Sequence, residues 1–216
     1  MPMYIYNEEN LMIKAQLIIG YNIMEIAKSL NYFLPKLMKY NTGCIGKLIE
    51  YYFFGKHINN KFNQDIPYLG IEIKTVTINP DKQVLYDSYI CSCALLTQNV
   101  FWEKNNISQK ISKILWIPII TYNSKTPILN RIIGTPVLWQ PTLYEKTILQ
   151  YDWTNIIHLL IMGYIQDINE YNGYILKIKN KAKKDVNAKI IDQYGNIIFT
   201  LPKAFYFKRH FITSII

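Results

Sequence analysis

Two carboxylates and one amine lie close together in the first half of the chain, at Asp65, Glu72 and Lys74. Residues 71–77 alternate apolar and polar side chains, which predicts a half-buried strand with Glu72 and Lys74 on one face. Gly70 suits a turn that folds Asp65 back toward Glu72. Two carboxylates can hold Mg²⁺ together with phosphate oxygens and water, and a lysine beside them can orient a water for attack on phosphorus. The spacing therefore predicts a metal-dependent site that hydrolyses phosphodiesters.

A Glu-x-Lys pair also has a simpler explanation, because solvated strand faces commonly carry mixed charges and short motifs match by chance. Glu50 is open to the same two interpretations. It lies in the middle of a helix predicted from Gly43 to about Gly55, among apolar neighbours. Since an unpaired buried charge is costly, Glu50 either faces solvent or joins a paired site. It is a third acidic group near the metal or a solvated helix position.

The charge of the chain indicates a polyanionic partner. Among 216 residues, Lys and Arg number 24 against 15 for Asp and Glu, which gives a formal net charge of +9. Such an excess favours nucleic acid over a membrane surface as the partner. The alternative is the codon bias of an A+T-rich genome, since Lys, Asn, Ile and Tyr are all used heavily.

Cysteine usage and the N-terminal sequence predict a soluble, cytoplasmic protein. The chain has three cysteines; Cys91 and Cys93 are too close for an unstrained disulfide, and no second pair is available for zinc. An odd, sparse set suits a reducing compartment. Residues 1–10 have no basic region and carry two glutamates, so they are not a signal peptide. The longest apolar run, residues 114–120, is far too short to span a membrane.

Hydrophobic periodicity and capping residues predict the elements that position these side chains. Two capping boxes, Asn22 with Glu25 and Thr142 with Glu145, begin helices. The predicted helices cover residues 11–19, 23–30, 43–55 and 143–163. The predicted strands cover residues 71–77, 84–94 (returning antiparallel), 114–120, 128–139 (broken by Gly134 and Pro136), 173–179 and 197–201. Loops are expected at residues 56–64 and, rich in lysine, at 180–189. The first two helices could also form a helix-turn-helix, but simple packing helices are favoured because basic side chains do not crowd the start of the second.

Aromatic and basic residues are interleaved in the segment 201–209, a pattern suited to contacting phosphates and bases together. In an extended conformation, Phe205 and Phe207 point into the core and Tyr206 points the other way. Lys203 and Lys208 then lie beside Tyr206 as candidate phosphate contacts.

Five stretches, in order along nearly the whole chain, carry a family resemblance. They are Gly43–Glu50, Asp65 with Leu69–Thr75, Leu115–Pro118, Gly134–Trp139 and Leu201–Lys208. In these stretches the chain resembles the MutH/Sau3AI family of the PD-(D/E)xK nuclease superfamily. The resemblance implies an α/β, restriction-endonuclease-like fold with a mixed sheet flanked by helices and two lobes that form a DNA cleft. The single endonuclease domain, 1–216, would comprise a catalytic lobe at about 1–105 and a DNA-recognition lobe at 106–216.

The resemblance also implies a role for each matching acidic position. Glu50 would help to hold the metal site, and Asp65 and Glu72 would be the metal-binding carboxylates. The backbone carbonyl of Ile73 would be a further ligand. The implied cofactor is Mg²⁺, and the number of ions is left open.

The resemblance also implies roles for basic and aromatic residues. Lys74 would be the catalytic lysine, and Lys110 a second active-site lysine near the scissile phosphate. Lys179 and Lys181 would read the bases of a GATC site, and Tyr206 would sense adenine methylation. The family typically has Arg where this chain has Lys179. Because Arg makes a planar bidentate contact to guanine and Lys is a point charge, four-base specificity is expected to be weaker or rebuilt locally.

The reaction implied by the resemblance is nicking of the unmethylated strand at a hemimethylated 5′-GATC site. The partners would be double-stranded DNA, the activator MutL and, indirectly, MutS, and the protein would act as a monomer. Two alternatives remain at this point: a GATC-cutting restriction endonuclease of the same family, and a DNA-binding protein whose catalysis has decayed. No role is assigned to His57, His158 or His210.

Overall fold

The computed structural model describes residues 5–33, 43–56, 64–93, 101–123, 125–168, 172–181 and 188–216. The chain forms two compact units, each assembled from separated segments. The first unit comprises residues 1–86, 113–140 and 213–216, and the second comprises 87–112 and 141–212. The assignment of catalysis to residues 1–105 and recognition to residues 106–216 stays a prediction. The predicted loop at 56–64 and His57 lie largely or wholly outside the described residues.

Along the described chain, three helices come first, and runs of strands separated by single helices follow. The helices are α1 (Glu8–Gln16), α2 (Ile23–Ser29), α3 (Gly43–Phe54), α4 (Asn106–Lys110), α5 (Leu143–Ile161) and α6 (Arg209–Thr213). The strands are β1 (Glu72–Ile78), β2 (Ser88–Cys93), β3 (Ile114–Ile120), β4 (Ile132–Ile133), β5 (Val137–Trp139), β6 (Leu176–Asn180), β7 (Ala188–Ile191), β8 (Ile197–Thr200) and β9 (Lys203–Phe207). Single 3-10 turns occur at Trp102–Lys104, Ile128–Asn130 and Ile165–Asp167.

The first unit contains a mixed sheet, as the family resemblance implied. β1 runs parallel to β3, while β4 and β5 both pair with β3 in the antiparallel sense. β3 is central and its residues are almost all buried, which explains its uninterrupted apolar sequence. The buried side chains of α1, α2 and α3 form one hydrophobic core with those of β3. This core fixes β1, the strand that carries Glu72 and Lys74.

Local capping signals determine where the first two helices begin. α2 begins after Asn22 with the predicted capping box, in which Asn22 and Glu25 satisfy each other's backbone N–H groups. α1 begins at Glu8, three residues before the predicted Leu11. The Asn7 side chain accepts a 2.8 Å hydrogen bond from the N–H of Asn10, and this polar cap extends the helix beyond its apolar residues.

Pro118 is tolerated in the central strand because the strand that pairs with β3 changes from β5 to β4 at this position. β5 pairs with residues 114–116 of β3, and β4 pairs with Ile119 and Ile120. Between these two pairings, the Pro118 carbonyl accepts a 2.8 Å hydrogen bond from Gly134 N. A Cβ on Gly134 would lie only 3.1 Å from the Pro118 Cβ. Pro118 and Gly134 thus pack closely in the gap between the β5 and β4 pairings, where a proline does not break the sheet.

The second unit contains an antiparallel sheet of order β2–β9–β6 and a separate β7–β8 hairpin. The prediction that residues 84–94 return beside β1 was wrong. Only Val84 forms a bridge to Ile78 at the end of β1, and β2 pairs with β9 instead. More than a hundred residues separate these two partners, so the local pattern identified a strand but not its neighbour.

Asp152 ties α5 to the entry of β6. This fully buried side chain accepts hydrogen bonds from the N–H groups of Tyr174, Ile175 and Leu176 at 2.6–2.9 Å. Gly173 precedes these residues with a φ of +90°, and a Cβ there would lie 3.0 Å from Asp152 Cγ. The carboxylate satisfies three backbone donors at once and fixes where β6 starts.

Short elements near the C-terminus were missed by the sequence analysis. Residues 188 and 189 were predicted as the end of a basic loop but begin β7, which pairs with β8; residues 182–187 of that loop lie outside the described ranges. β9 confirms the extended conformation considered for residues 203–207, with Phe205 and Phe207 buried and Tyr206 half-buried. No described helix has both the length and the apolarity needed to cross a membrane.

Candidate active site

A tight turn brings Asp65 alongside the start of β1. Ile66 and Ile71 pair across it through two backbone hydrogen bonds of 2.9 and 3.2 Å. Gly70 has a φ of +68°, a conformation that side-chain-bearing residues rarely adopt. The Gln64 amide donates to the Gly70 carbonyl at 2.7 Å and reinforces the reversal. The structure therefore has the fold-back that the position of Gly70 predicts.

The Asp65 carboxylate is held against the backbone of β1. Its Oδ2 accepts a 2.8 Å hydrogen bond from Ile73 N. The neighbouring N–H, that of Glu72, donates to the Lys113 carbonyl on the β3 side. Because the N–H and C=O of one strand residue point the same way and alternate along the strand, the Ile73 carbonyl faces the Asp65 side. Asp65 and the Ile73 carbonyl thus lie on the edge of β1 that faces away from β3.

Glu72 and Lys74 form a largely buried ion pair. Lys74 Nζ lies 3.3 Å from Glu72 Oε1, and the two side chains are only 10% and 7% exposed. They share a face because they are two residues apart on β1, as predicted. Each charge compensates the other in a site from which most water is excluded.

Glu50 contributes negative charge to the same region from α3, which packs against β1. Partial burial raises the pKa of Glu50, and the nearby carboxylates of Asp65 and Glu72 raise it further. Lys47, one helical turn earlier, opposes this shift. The electrostatic influence of Asp65 and Glu72 indicates that Glu50 lies near these carboxylates and not at a remote solvated position.

The oxygen donors at this site have the chemistry that a hard divalent cation prefers. Within the described part of the chain, three His, Cys, Asp or Glu side chains do not come close enough to form a metal cluster. The fit therefore depends on two carboxylates, Asp65 and Glu72, and on the Ile73 carbonyl, with water or phosphate oxygens completing the set. Because acidic charge concentrates here and raises the pKa of Glu50, a cation would relieve the repulsion.

Lys110 lies in the second unit, as the last residue of α4, and its side chain is buried. A buried lysine is unusual, because burial disfavours its charged form. Its predicted role near the scissile phosphate stays a prediction.

The predicted DNA contacts of the second unit form a compact group on one face of its sheet. The Lys179 amine lies 5.6 Å from the Tyr206 ring centroid, and the Lys181 amine lies 5.8 Å from that of Tyr89. The Tyr89 and Tyr206 rings meet edge to face at 5.7 Å. Lys181 also donates to Ser92 Oγ at 2.7 Å. We call Tyr89, Lys179, Lys181 and Tyr206 the aromatic–lysine face.

Lys203 and Lys208, which were also predicted to contact DNA, do not lie on the aromatic–lysine face. Lys203 is three residues from Tyr206 on β9, so its side chain leaves the opposite side of the sheet, and burial lowers its pKa. The Lys208 amine donates to the Gly173 carbonyl at 2.6 Å. Lys203 and Lys208 therefore do not join the aromatic–lysine face.

Sequence reasoning missed Tyr89 and Asp87. Tyr89 reaches Tyr206 only because β2 pairs with β9, and that pairing has no local signature. Asp87 accepts hydrogen bonds from Lys177 and Lys179. These bonds outweigh the opposing effect of burial and hold its pKa at about 2. A single acid between Tyr86 and Ser88 gives no sequence signal for such a role.

Comparison with known proteins gives concordant matches. A family model described as DNA mismatch repair enzyme MutH matches residues 54–152. The chain is 34% identical over 213 residues to the DNA mismatch repair protein MutH of Pectobacterium atrosepticum, and the alignment covers 97% of this chain and 91% of that protein. The MutH of Pasteurella multocida is 34% identical over 212 residues, with 97% and 94% covered. That of Haemophilus ducreyi is 32% identical over 212 residues, with 97% and 93% covered.

Proposed function

The chain belongs to the MutH family of DNA mismatch repair endonucleases, and on this basis we propose that it nicks the unmethylated strand of hemimethylated 5′-GATC sites by Mg²⁺-dependent hydrolysis. The observation that carries the chemical part of the proposal is the arrangement on β1. Asp65 is fixed against Ile73, and Glu72 and Lys74 are paired on the adjacent face. Together these groups supply two carboxylates and a carbonyl that could hold a metal ion, and an amine that could position water for phosphodiester hydrolysis.

Each residue has a separable task in this mechanism. The Ile73 N–H fixes the orientation of the Asp65 carboxylate, which leaves its other lone pairs for a cation. Glu72 accepts from Lys74 and keeps that amine in place. The Lys74 amine holds the attacking water, or a non-bridging phosphate oxygen, beside phosphorus. Attack by water forms a new P–O bond while the bond to one DNA oxygen breaks; the water gives up a proton to solvent, and the leaving oxygen takes one from solvent.

Mg²⁺ would be held by Asp65, Glu72 and the Ile73 carbonyl, and it would neutralise the charge that develops on the phosphate oxygens. Glu50 would contribute through its charge in the same region. The raised pKa of Glu50 supports this part of the proposal, because the acidic site is less strained electrostatically when a cation is bound.

The aromatic–lysine face would provide recognition. Lys179 and Lys181 present amines that can donate to base acceptors in the major groove. Tyr206 is half-buried between β2 and β6, so its ring is fixed and can distinguish an amino from a methylamino group by fit. The net charge of +9 would provide attraction to the DNA backbone independent of sequence.

The proposed partners follow from the family. Double-stranded DNA is the substrate, MutL would activate the protein, and MutS would act indirectly. A monomer would cut one strand in each event, because each chain has one copy of the Asp65–Glu72–Lys74 group. The two alternatives, a restriction endonuclease and a decayed DNA-binding protein, are not favoured by the matches to mismatch repair proteins.

A plasmid assay tests the proposal. Supercoiled plasmid carrying one hemimethylated GATC site is incubated with the protein in Mg²⁺ and, separately, in EDTA. We expect nicked circles only with Mg²⁺ and only when the site is present. Linear product would indicate a restriction enzyme, and unchanged plasmid despite DNA binding would indicate a decayed nuclease.

A further inference from the structure

Asp87, just before β2, contacts two other segments of the second unit: β6 and the start of α6. Its Oδ2 accepts from Lys177 Nζ at 2.7 Å and from Lys179 Nζ at 2.5 Å. Its Oδ1 accepts from Arg209 N at 2.9 Å. The side chain is 12% exposed. These contacts hold both carboxylate oxygens, so the orientation of the group is fixed.

The two lysines on Asp87 differ in their access to solvent. The side chain of Lys177 is 11% exposed, whereas that of Lys179 is 41% exposed. Both lie on β6, two residues apart, and therefore share a face of the sheet. With two positive charges and one negative charge, the trio keeps a net charge of +1. Lys177 balances Asp87 inside the protein, and Lys179 presents the remaining charge outward.

The Lys179 amine is held in direction as well as in position. It donates to Asp87 and also lies over the Tyr206 ring. An ammonium has three N–H donors, so one bond to Asp87 leaves two. Guanine presents two acceptors, O6 and N7, side by side in the major groove. A lysine whose amine is fixed by a carboxylate can meet such a pair, whereas a mobile lysine is only a point charge.

We propose that Asp87 is a positioning residue for base recognition, which fixes the Lys179 amine against the aromatic–lysine face before DNA binds. The inference rests on the proposed function, because it assigns Lys179 to base reading. It explains how a lysine at this position can provide directional specificity: the carboxylate restricts a flexible side chain that would otherwise lose its freedom only on binding.

Asp87→Asn tests the proposal, because it keeps the size of the side chain and weakens its hold on Lys179. Two ratios are measured for parent and variant. One is the affinity for a GATC duplex relative to duplexes with one base pair changed, without divalent metal. The other is the ratio of kcat/KM for nicking the same sequences in Mg²⁺. We expect both ratios to fall by about tenfold, the order that one good base contact provides.

Three further variants make the result specific. Asp81→Asn removes the same charge from an exposed turn of the first unit, and it should change neither ratio. Lys179→Met removes the positioned amine. It should lower both the binding ratio and the nicking ratio, and it provides a test if Asp87→Asn folds poorly. In Asp87→Asn/Lys179→Arg the planar guanidinium should restore discrimination relative to Asp87→Asn. Far-ultraviolet circular dichroism and thermal melting confirm that each variant is folded.

The outcomes separate this inference from the proposed function. If Asp87→Asn, or Lys179→Met where the former does not fold, discriminates as well as Asp81→Asn, the inference is overturned. If the parent binds GATC selectively but does not nick it, the proposed function fails and the role of Asp87 is decided by the binding ratio alone. A parent that binds all sequences equally overturns both.

Discussion

The Asp65 carboxylate accepts a 2.8 Å hydrogen bond from the backbone N–H of Ile73, so a residue from before the Gly70 turn is fixed against the strand that follows it. This contact combines a structural role and a proposed metal-binding role in one side chain. Substitution can separate the two, because an amide oxygen can accept the same bond without carrying a full negative charge.

Asp65→Asn should therefore fold like the parent and lose nicking. We expect activity to fall by at least about a hundredfold, because losing a carboxylate ligand would weaken binding of a metal ion whose Lewis acidity contributes several kcal/mol to catalysis. DNA affinity should persist, since the basic residues are unchanged. Nicking rates and thermal midpoints are compared with those of Asp65→Ala and Glu72→Ala, which should also be inactive. An Asp65→Asn variant that nicks at the parental rate would limit Asp65 to a structural role.

Lys74→Met should abolish nicking and also destabilise the protein, because it leaves Glu72 as a largely buried charge without its partner amine. The expected loss in free energy of unfolding is on the order of 1–3 kcal/mol. Denaturant unfolding of Lys74→Met, Glu72→Gln and the double variant measures the coupling. The double variant should be more stable than Lys74→Met alone; a coupling energy near zero from the four free energies of unfolding would show that the ion pair contributes little.

Glu50→Gln should stabilise the protein at neutral pH. The folded-state pKa of Glu50 is raised above its usual 4.5, so ionisation costs free energy only in the folded state. That cost is present above the folded pKa and disappears as pH falls below the unfolded value. The gain should be up to about 1 kcal/mol at pH 7, after solvent screening, and should vanish near pH 4.

Two observations check the Glu50 prediction. Glu103→Gln, at an exposed site of the second unit, should show no such pH-dependent gain. Mg²⁺ should raise the thermal midpoint of the parent more than that of Glu50→Gln, if the cation relieves the repulsion. A gain that persists unchanged at pH 4 would contradict the electrostatic explanation.

DNA binding should weaken steeply with salt. If the protein contacts about five phosphates, the slope of log K against log salt should be about −4 to −5 for duplex DNA. Lys181→Gln should make the slope shallower by about 1, whereas Lys28→Gln, on the exposed side of α2, should leave it unchanged. A slope near zero for the parent protein would mean that its net positive charge does not contribute to DNA binding and reflects codon bias alone.

Tyr206→Ala should narrow the preference for unmethylated over fully methylated GATC while Mg²⁺-dependent nicking continues. The ring is fixed by Tyr89 and lies beneath the Lys179 amine, so it can exclude a methyl group by fit. The expected change is on the order of 1–3 kcal/mol. Nicking rates are measured on duplexes methylated on neither, one or both strands.

Tyr151→Ala is the matched control, because Tyr151 is an exposed tyrosine of α5 in the same unit. It should leave the methylation preference unchanged. If Tyr206→Ala discriminates as sharply as the parent, Tyr206 is a packing residue, and the sensor should be sought first around Lys179 and Lys181.

The elements of this fold that local interactions determine could be predicted from the sequence. The two capping boxes, the alternation along β1 and the buried run of β3 all depend on residues a few positions apart. The Gly70 turn is local as well. For this reason the geometry around Asp65, Glu72 and Lys74 could be anticipated without a structure.

Features that depend on distant pairing were not predictable in the same way. β2 was assigned to the wrong neighbour because its hydrogen-bonding partner, β9, lies near the C-terminus. Lys203 was placed beside Tyr206 by proximity in sequence, although strand alternation puts it on the other face. Asp87 acquires its role only when β6 and the N-terminus of α6 are brought to it by the fold.

The hydrogen bonds that Asp152 accepts from three successive N–H groups affect which insertions and deletions the chain can tolerate. They close a loop whose ends are 22 residues apart without a covalent crosslink. Insertions or deletions between α5 and Gly173 should then be tolerated, since the register of β6 is set by the carboxylate rather than by the length of the loop. Gly173 itself has no such freedom, because a side chain there would displace the acid that holds the loop closed.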